Sequence, residues 1–302
     1  MDNIAPFSQK ASQKSAFCLT INVFSAILTG NRESFMKIVH FSDPHGGGGA
    51  EDWMAYFDKR WVGVFNYRFR RKFRHDLSHL AKAVEFIMDT KPDVAVCTGD
   101  LTSAGQPGEF ERVLEIIKPL YRSDIPLLYT PGNHDCYVSR PKCVAAVKNA
   151  VAVMSQGKYT YDSMPQKLCC CGVEMLVINT SAPSNLLCSW GFVKKGDPEF
   201  IEKACSENPE MPKILISHYP MTDDHPILRM RHRLFGQKKI VQLMEAKKLD
   251  LVLCGHVHKP YLKVDDQGRG ECCAGSVSSN ASMVEIDCNV EKHSFCFKTI
   301  DL

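Results

Sequence analysis

The chain has 302 residues, 44% hydrophobic and 24% charged, with 37 Lys or Arg against 34 Asp or Glu and a net charge of +3. That length can bury a sizeable core, and that composition excludes a disordered, fibrous or membrane-embedded chain. The small net charge excludes a general polyanion-binding surface, so any anion-binding face must be local.

Residues 1–35 read as a poorly ordered extension preceding a domain over 36–302. Within the extension Ala16 to Leu28 is apolar and follows Lys10 and Lys14, a weak echo of a signal peptide that is too short to cross a bilayer. From Met36 onward strand and helix signals alternate. Apolar runs rich in Val, Ile and Leu at 37–43, 92–100, 125–135, 173–180, 212–218 and 249–256 predict buried strands. Helical apolar spacing falls between them, at 78–90, 108–120, 141–154, 197–205 and 238–248. Beyond residue 259 the helical spacing stops, and three strands are expected, in 261–266, 270–277 and 283–299. Alternating βα units with a β-rich end predict an α/β sandwich rather than one doubly wound sheet. The fourteen cysteines include the contiguous runs Cys169-Cys170-Cys171 and Cys272-Cys273 and no regular CxxC pairing. They read as reduced, mostly buried small hydrophobes and imply a reducing, cytoplasmic compartment.

Five polar blocks each close one of these strands: Asp43-Pro-His45, Gly99-Asp100, Gly132-Asn133-His134-Asp135, His218 and Gly255-His256-Val257-His258. They supply three carboxylates, one amide and five imidazoles at strand ends, where loops from several strands converge. That donor inventory suits two neighbouring divalent cations, and a neutral amide ligand lowers the charge enough for an anionic phosphate to enter. Two cations roughly 3.5–4 Å apart would hold a bridging water as hydroxide and place it in line with phosphorus. His134 suits a proton donor to the leaving alkoxide, with Asp135 fixing its tautomer.

This ordered set resembles the calcineurin-like metallophosphoesterase superfamily over roughly residues 37–285. The resemblance implies a four-layer αββα sandwich of two mixed β-sheets flanked by helices. It also implies Asp43, His45, Asp100 and His258 around a first metal, with Asp100, Asn133, His218 and His256 around a second. His134 would stand beside the leaving group. The metals would be manganese, iron, zinc or magnesium according to supply. Phosphoprotein phosphatases of this superfamily carry an Asp-Arg-Gly just after Gly-Asp and an Arg before Gly-Asn-His. Here Leu101-Thr102-Ser103 and Pro131 stand there instead. Ser103 also replaces the tyrosine ligand of purple acid phosphatases. Residues 99–117 look most like bacterial phosphodiesterases related to the class III cyclic-nucleotide enzymes, which implies a phosphodiester substrate; no obligate protein partner is inferred.

The stretch 59–76 interleaves seven Lys or Arg with Trp61, Phe65, Tyr67, Phe69 and Phe73. Two readings stay open. It is an amphipathic helix whose aromatics join the core, or a face that meets an anionic lipid or single-stranded nucleic acid. A second cluster holds Arg229, Arg231, His232, Arg233, Lys238 and Lys239. From the two clusters Arg60, Arg68, Arg71, Arg231 and Arg233 are candidate substrate contacts. If both flank the metals, a phosphoanhydride such as UDP-2,3-diacylglucosamine, hydrolysed at the inner membrane face, is the alternative substrate. A non-catalytic scaffold is the remaining reading, and such members typically lose ligands.

Overall fold

The computed structural model describes residues 34–69, 73–183, 188–222 and 232–302. The reading of residues 1–33 lies outside them. Buried runs of Val, Ile and Leu form two mixed sheets. The first has five strands in the order β13 (Ser294–Asp301), β12 (Ser282–Asn289), β1 (Phe35–Phe41), β2 (Val94–Cys97) and β3 (Leu127–Tyr129). Its last three strands run parallel, while β12 is antiparallel to both neighbours. The second has six, in the order β10 (Tyr261–Val264), β11 (Gly270–Cys273), β9 (Leu251–Cys254), β7 (Lys213–Ile216), β5 (Val173–Val177) and β4 (Gln166–Cys170). A parallel pair, β6 (Gly191–Phe192) and β8 (Leu234–Phe235), stands apart.

Alternation along the second sheet shows the layering. Met175, Val177, Ile214, Ile216, Leu251 and Leu253 join the core that the first sheet shares with α2 (Leu77–Thr90), α3 (Pro107–Tyr121) and α4 (Pro141–Met154). Their neighbours Leu176, Leu215 and Val252 point the other way, against α5 (Asp197–Glu207) and α6 (Lys238–Glu245). Period-2 side chains buried on both faces therefore give four layers, helix–sheet–sheet–helix. The expected αββα sandwich is the fold observed. Most of the described cysteines are buried. No helix among the described residues is long and apolar enough to cross a membrane.

Three local differences from the sequence expectations have physical causes. The strands ending in polar blocks are shorter than the apolar runs, because the chain leaves strand geometry where the blocks begin. The stretch 283–299 is a hairpin of two strands, paired from Ser282–Asp301 to Asn289–Ser294. A four-residue helix, α7 (Val277–Asn280), interrupts the β-rich end, capped by Ser276 Oγ, which accepts from the Ser279 amide.

The larger difference is α1 (Arg60–Phe69). Its inner face is built from Arg60 and Gly63, while Trp61, Phe65 and Phe69 face outward. Gly63 lies so close to Ala104 and the Ser103 carbonyl that a β-carbon would sit 2.8 Å from Ala104 Cβ. The reading in which the aromatics join the core is thus overturned. Arg60 is 2% exposed, with Nη1 and Nη2 each donating at 2.9 Å to Asp52 and Nε donating at 2.9 Å to Asp58. The expectation that Arg60 contacts substrate fails for this reason: its guanidinium fastens α1 to the preceding turn.

Candidate metal centre

The loops after β1 and β2 continue the parallel pairing beyond the strands. Asp43 N donates to Gly99 O at 3.0 Å, His45 N to Asp100 O at 2.9 Å and Gly46 N to Leu101 O at 2.8 Å. This zipper sets Asp43, His45 and Asp100 side by side. All three have left-handed backbones, with φ of 53°, 50° and 53°, as do His256 (69°) and His258 (55°). Asp and His enter this region more readily than most residues, yet each such position costs about 1 kcal/mol or more. Gly255 does more than free the backbone before His256. A β-carbon there would overlap Ser42 Oγ and the Asp43 carboxylate.

Each ligand carboxylate has one tethered oxygen and one without a partner. Asp43 Oδ2 accepts from Ser42 Oγ at 2.5 Å and from the His256 amide at 3.1 Å. Asp100 Oδ1 accepts from the His134 amide at 2.7 Å. The other oxygens, Asp43 Oδ1 and Asp100 Oδ2, are buried without a hydrogen bond, and so is His256 Nε2. Leaving such atoms unpaired is costly unless a cation takes them. They converge. Asp43 Oδ1 lies 3.5 Å from His45 Nε2 and 3.3 Å from His258 Nε2. Asp100 Oδ2 lies 3.6 Å from His45 Nε2 and 3.5 Å from His218 Nε2. Two donor groups result, Asp43–His45–Asp100–His258 and Asp100–His218–His256, which share Asp100. Asn133 Oδ1, 3.2 Å from His218 Nε2, extends the second.

Backbone carbonyls fix the imidazoles. His45 Nδ1 meets Thr102 O at 3.1 Å, His218 Nδ1 meets Thr98 O at 2.6 Å and His134 Nδ1 meets Ser103 O at 2.7 Å. A carbonyl only accepts, so Nδ1 carries the proton in each ring, and a neutral ring keeps its lone pair on Nε2. His45 and His258 bring their Nε2 atoms within 2.7 Å of each other, an approach two lone pairs tolerate only with a proton or cation between them. The residues therefore fit a pair of metal ions. Burial holds His256 well below its usual range, so its lone pair is available. Burial also pulls His218 down, but Asp100 outweighs it and raises that imidazole to about 9, so loading this group displaces a proton.

Asp135 departs from its expected role. Its Oδ1 accepts from the Thr102 amide at 3.0 Å, and its Oδ2 accepts from Tyr129 Oη at 2.7 Å and the Gly132 amide at 2.9 Å. Ser103, not Asp135, sets the His134 tautomer. Asp135 is the clasp that joins the Gly-Asp loop to the Gly-Asn-His turn.

The cavity above the donors measures about 230 Å³ and is lined by Asp100, Asn133, His134, Ser189, His232, His256, Val257 and His258. Arg60, Arg68 and Arg233 do not line it. Arg68 is exposed on α1, and Arg233 lies over the Phe235 ring, 4.7 Å from its centroid. Arg71 and Arg231 lie outside the described residues. Three further rings pack against these imidazoles, and of them His232 belongs to the second basic cluster. His75 packs 4.9 Å from the His45 ring, His232 lies 5.1 Å from the His256 ring, and Tyr137 stacks on His134 at 5.2 Å.

Glu109 braces the loop that presents Thr102 and Ser103. It is fully buried, and its Oε2 accepts from the Ala104 amide at 2.8 Å and the Gln106 amide at 3.2 Å. Burial pushes its carboxyl up to about 7 from 4.5, against the pull of those amides. A raised folded value means stability is fully present below the unfolded value and is lost as pH rises through 7. The wild type should lose about 3 kcal/mol more than Glu109→Gln between pH 4.5 and 8. Denaturant titrations at several pH values read this directly; parallel pH dependences would contradict it.

The sequence profile of the calcineurin-like phosphoesterase family matches residues 36–260, and the chain belongs to that family. Among curated proteins it is 21% identical over 170 residues to a 3',5'-cyclic-nucleotide phosphodiesterase from Nostoc sp., covering 56% of this chain and 57% of that protein. The chain thus spans little more than half the length of that relative. Among solved structures it resembles a purple acid phosphatase from yellow lupin seeds, with a TM-score of 0.59 and 14% identity over 89% of this chain and 52% of the other. It also resembles a dimetal phosphatase from Danio rerio, with a TM-score of 0.55 and 12% identity over 88% of this chain and 98% of the other. At these identities the structural likeness concerns the fold.

Proposed function

We propose that the protein hydrolyses a phosphodiester with the help of two divalent cations held by Asp43, His45, Asp100, Asn133, His218, His256 and His258. The observation that carries this is the pair of donor groups sharing one carboxylate, with unpaired buried donor atoms in both. The ions, when bound, supply Lewis-acid shielding of the phosphate oxygens and acidify a water at neutral pH. The chain's own residues do the rest. Asn133 contributes an oxygen without adding negative charge, so the anion is admitted. His134 belongs to neither donor group, lines the cavity and holds its proton-bearing Nδ1 on Ser103, so its Nε2 is the atom that serves the leaving oxygen.

Two features support a diester. The described lining of the cavity contains imidazoles, an amide, a hydroxyl and the Asp100 carboxylate but no guanidinium, which suits a phosphate with one negative charge better than one with two. The curated relative from Nostoc is named a cyclic-nucleotide phosphodiesterase. With manganese added, bis-p-nitrophenyl phosphate should be hydrolysed with a kcat/KM at least about tenfold above that of p-nitrophenyl phosphate. Preference for the monoester would sink the diester reading. Faster turnover of UDP-2,3-diacylglucosamine than of cyclic AMP or any other soluble diester would replace it with the phosphoanhydride.

A further inference from the structure

We propose that the aromatic and basic face formed by residues 53–69 with Phe73 and Arg74 docks the protein on an anionic lipid surface. Among the described residues, seven of the nine strongly exposed large hydrophobic side chains fall between Trp53 and Phe73. Single exposed aromatics need no explanation, but a contiguous group does. Trp53, Phe57 and Phe73 are 70%, 76% and 75% exposed. The rings also cluster in water: Trp53 meets Phe57 at 5.7 Å, and Phe65 meets Phe69 at 4.5 Å.

Helix α1 is turned inside out. Its buried face carries Arg60 and Gly63, and its outer face carries Trp61, Phe65 and Phe69 at four-residue intervals with Arg68 alongside. Burying an arginine while presenting a stripe of aromatic rings to solvent is unfavourable for a free surface and favourable for one that enters an apolar layer. Charge selects the occupant. Asp58, the one carboxylate among the described residues of this face, is taken up by Arg60 and Arg140, whereas Arg68 and Arg74 are exposed beside the rings. Aromatic rings at headgroup depth flanked by cationic side chains match an anionic bilayer. The face reaches the metal centre. Lys59 Nζ lies 4.4 Å from the Tyr137 ring centroid, and Tyr137 stacks on His134.

The inference does not depend on the reaction, and its test is separate. The full chain is sedimented with vesicles of phosphatidylcholine containing phosphatidylglycerol, or of phosphatidylcholine alone. The wild type should pellet with the anionic vesicles and be released by salt. The triple variant Phe57→Ser, Phe65→Ser, Phe69→Ser should bind at least about tenfold more weakly. Its hydrolysis of soluble bis-p-nitrophenyl phosphate should stay unchanged, which shows it folded. Should the variant not fold, the wild type still decides the matter. Trp53 and Trp61, two of the three tryptophans, should be quenched by vesicles with brominated acyl chains. Wild type left in the supernatant, equal pelleting of variant and wild type, or unquenched tryptophans would each overturn the proposal. So would vesicle-free dimerisation through this face, or binding to single-stranded DNA in place of vesicles.

Discussion

Asp100→Asn should cut the hydrolysis of bis-p-nitrophenyl phosphate by well over about 100-fold and leave at most one metal ion per chain. Even residues that only orient metal ligands are worth about 10–100-fold. Asp100 is the residue common to both donor groups, so its loss exceeds that range. The substitution is nearly isosteric, and asparagine accepts the left-handed backbone that this position requires (φ 53°). The tethered oxygen still has the His134 amide to bond. What changes is the second atom, 3.6 Å from His45 Nε2 and 3.5 Å from His218 Nε2, which becomes an N–H donor in place of an anionic acceptor. Metal content after gel filtration and kcat/KM together provide the readout. Two retained equivalents with a rate within tenfold of wild type would disprove the shared role.

His134→Gln should behave differently, and the contrast is the more informative result. This residue lies outside both donor groups, so metal content should stay at two. A diester with an alkyl leaving group should lose about 10²–10⁴ in kcat, the usual worth of a positioned general acid. One that expels p-nitrophenolate should lose far less, because that anion departs without a proton. The Ser103 carbonyl that holds Nδ1 and the Tyr137 ring that covers the imidazole keep the native side chain in one orientation. Equal losses for both leaving groups would mean that His134 serves ground-state binding instead.

The sequence made the metal centre readable because its chemistry is carried by side-chain type and by position at strand ends. Asp43, His45, Asp100, His218, His256 and His258 fall in the two donor groups to which their motifs would assign them. Asp135 misled because adjacency suggested partnership. In the tight turn after β3, neighbouring residues point to different sides, and Asp135 turns toward Tyr129 and Thr102. The true partner of His134 is a carbonyl, a group every residue carries, so no residue type could announce it. The aromatic stretch posed a different problem. Helical spacing defines a stripe but not which way it faces, and here the small Gly63 and the Arg60 ion pairs took the inside. His75 arrives through tertiary contact alone, whereas His232 belongs to the second basic cluster and lines the cavity.

The left-handed backbones at five of the metal-facing residues bear on the life of the protein in the cell. Their combined cost, together with the unpaired donor atoms, makes this corner of the molecule a thermodynamic liability until cations arrive. A ligand at 100 times its Kd returns about 2.7 kcal/mol, a large part of what holds an ordinary domain together. If cations occupy the two donor groups, folded abundance would follow divalent-ion supply, because chains without ions would be the first that proteases clear.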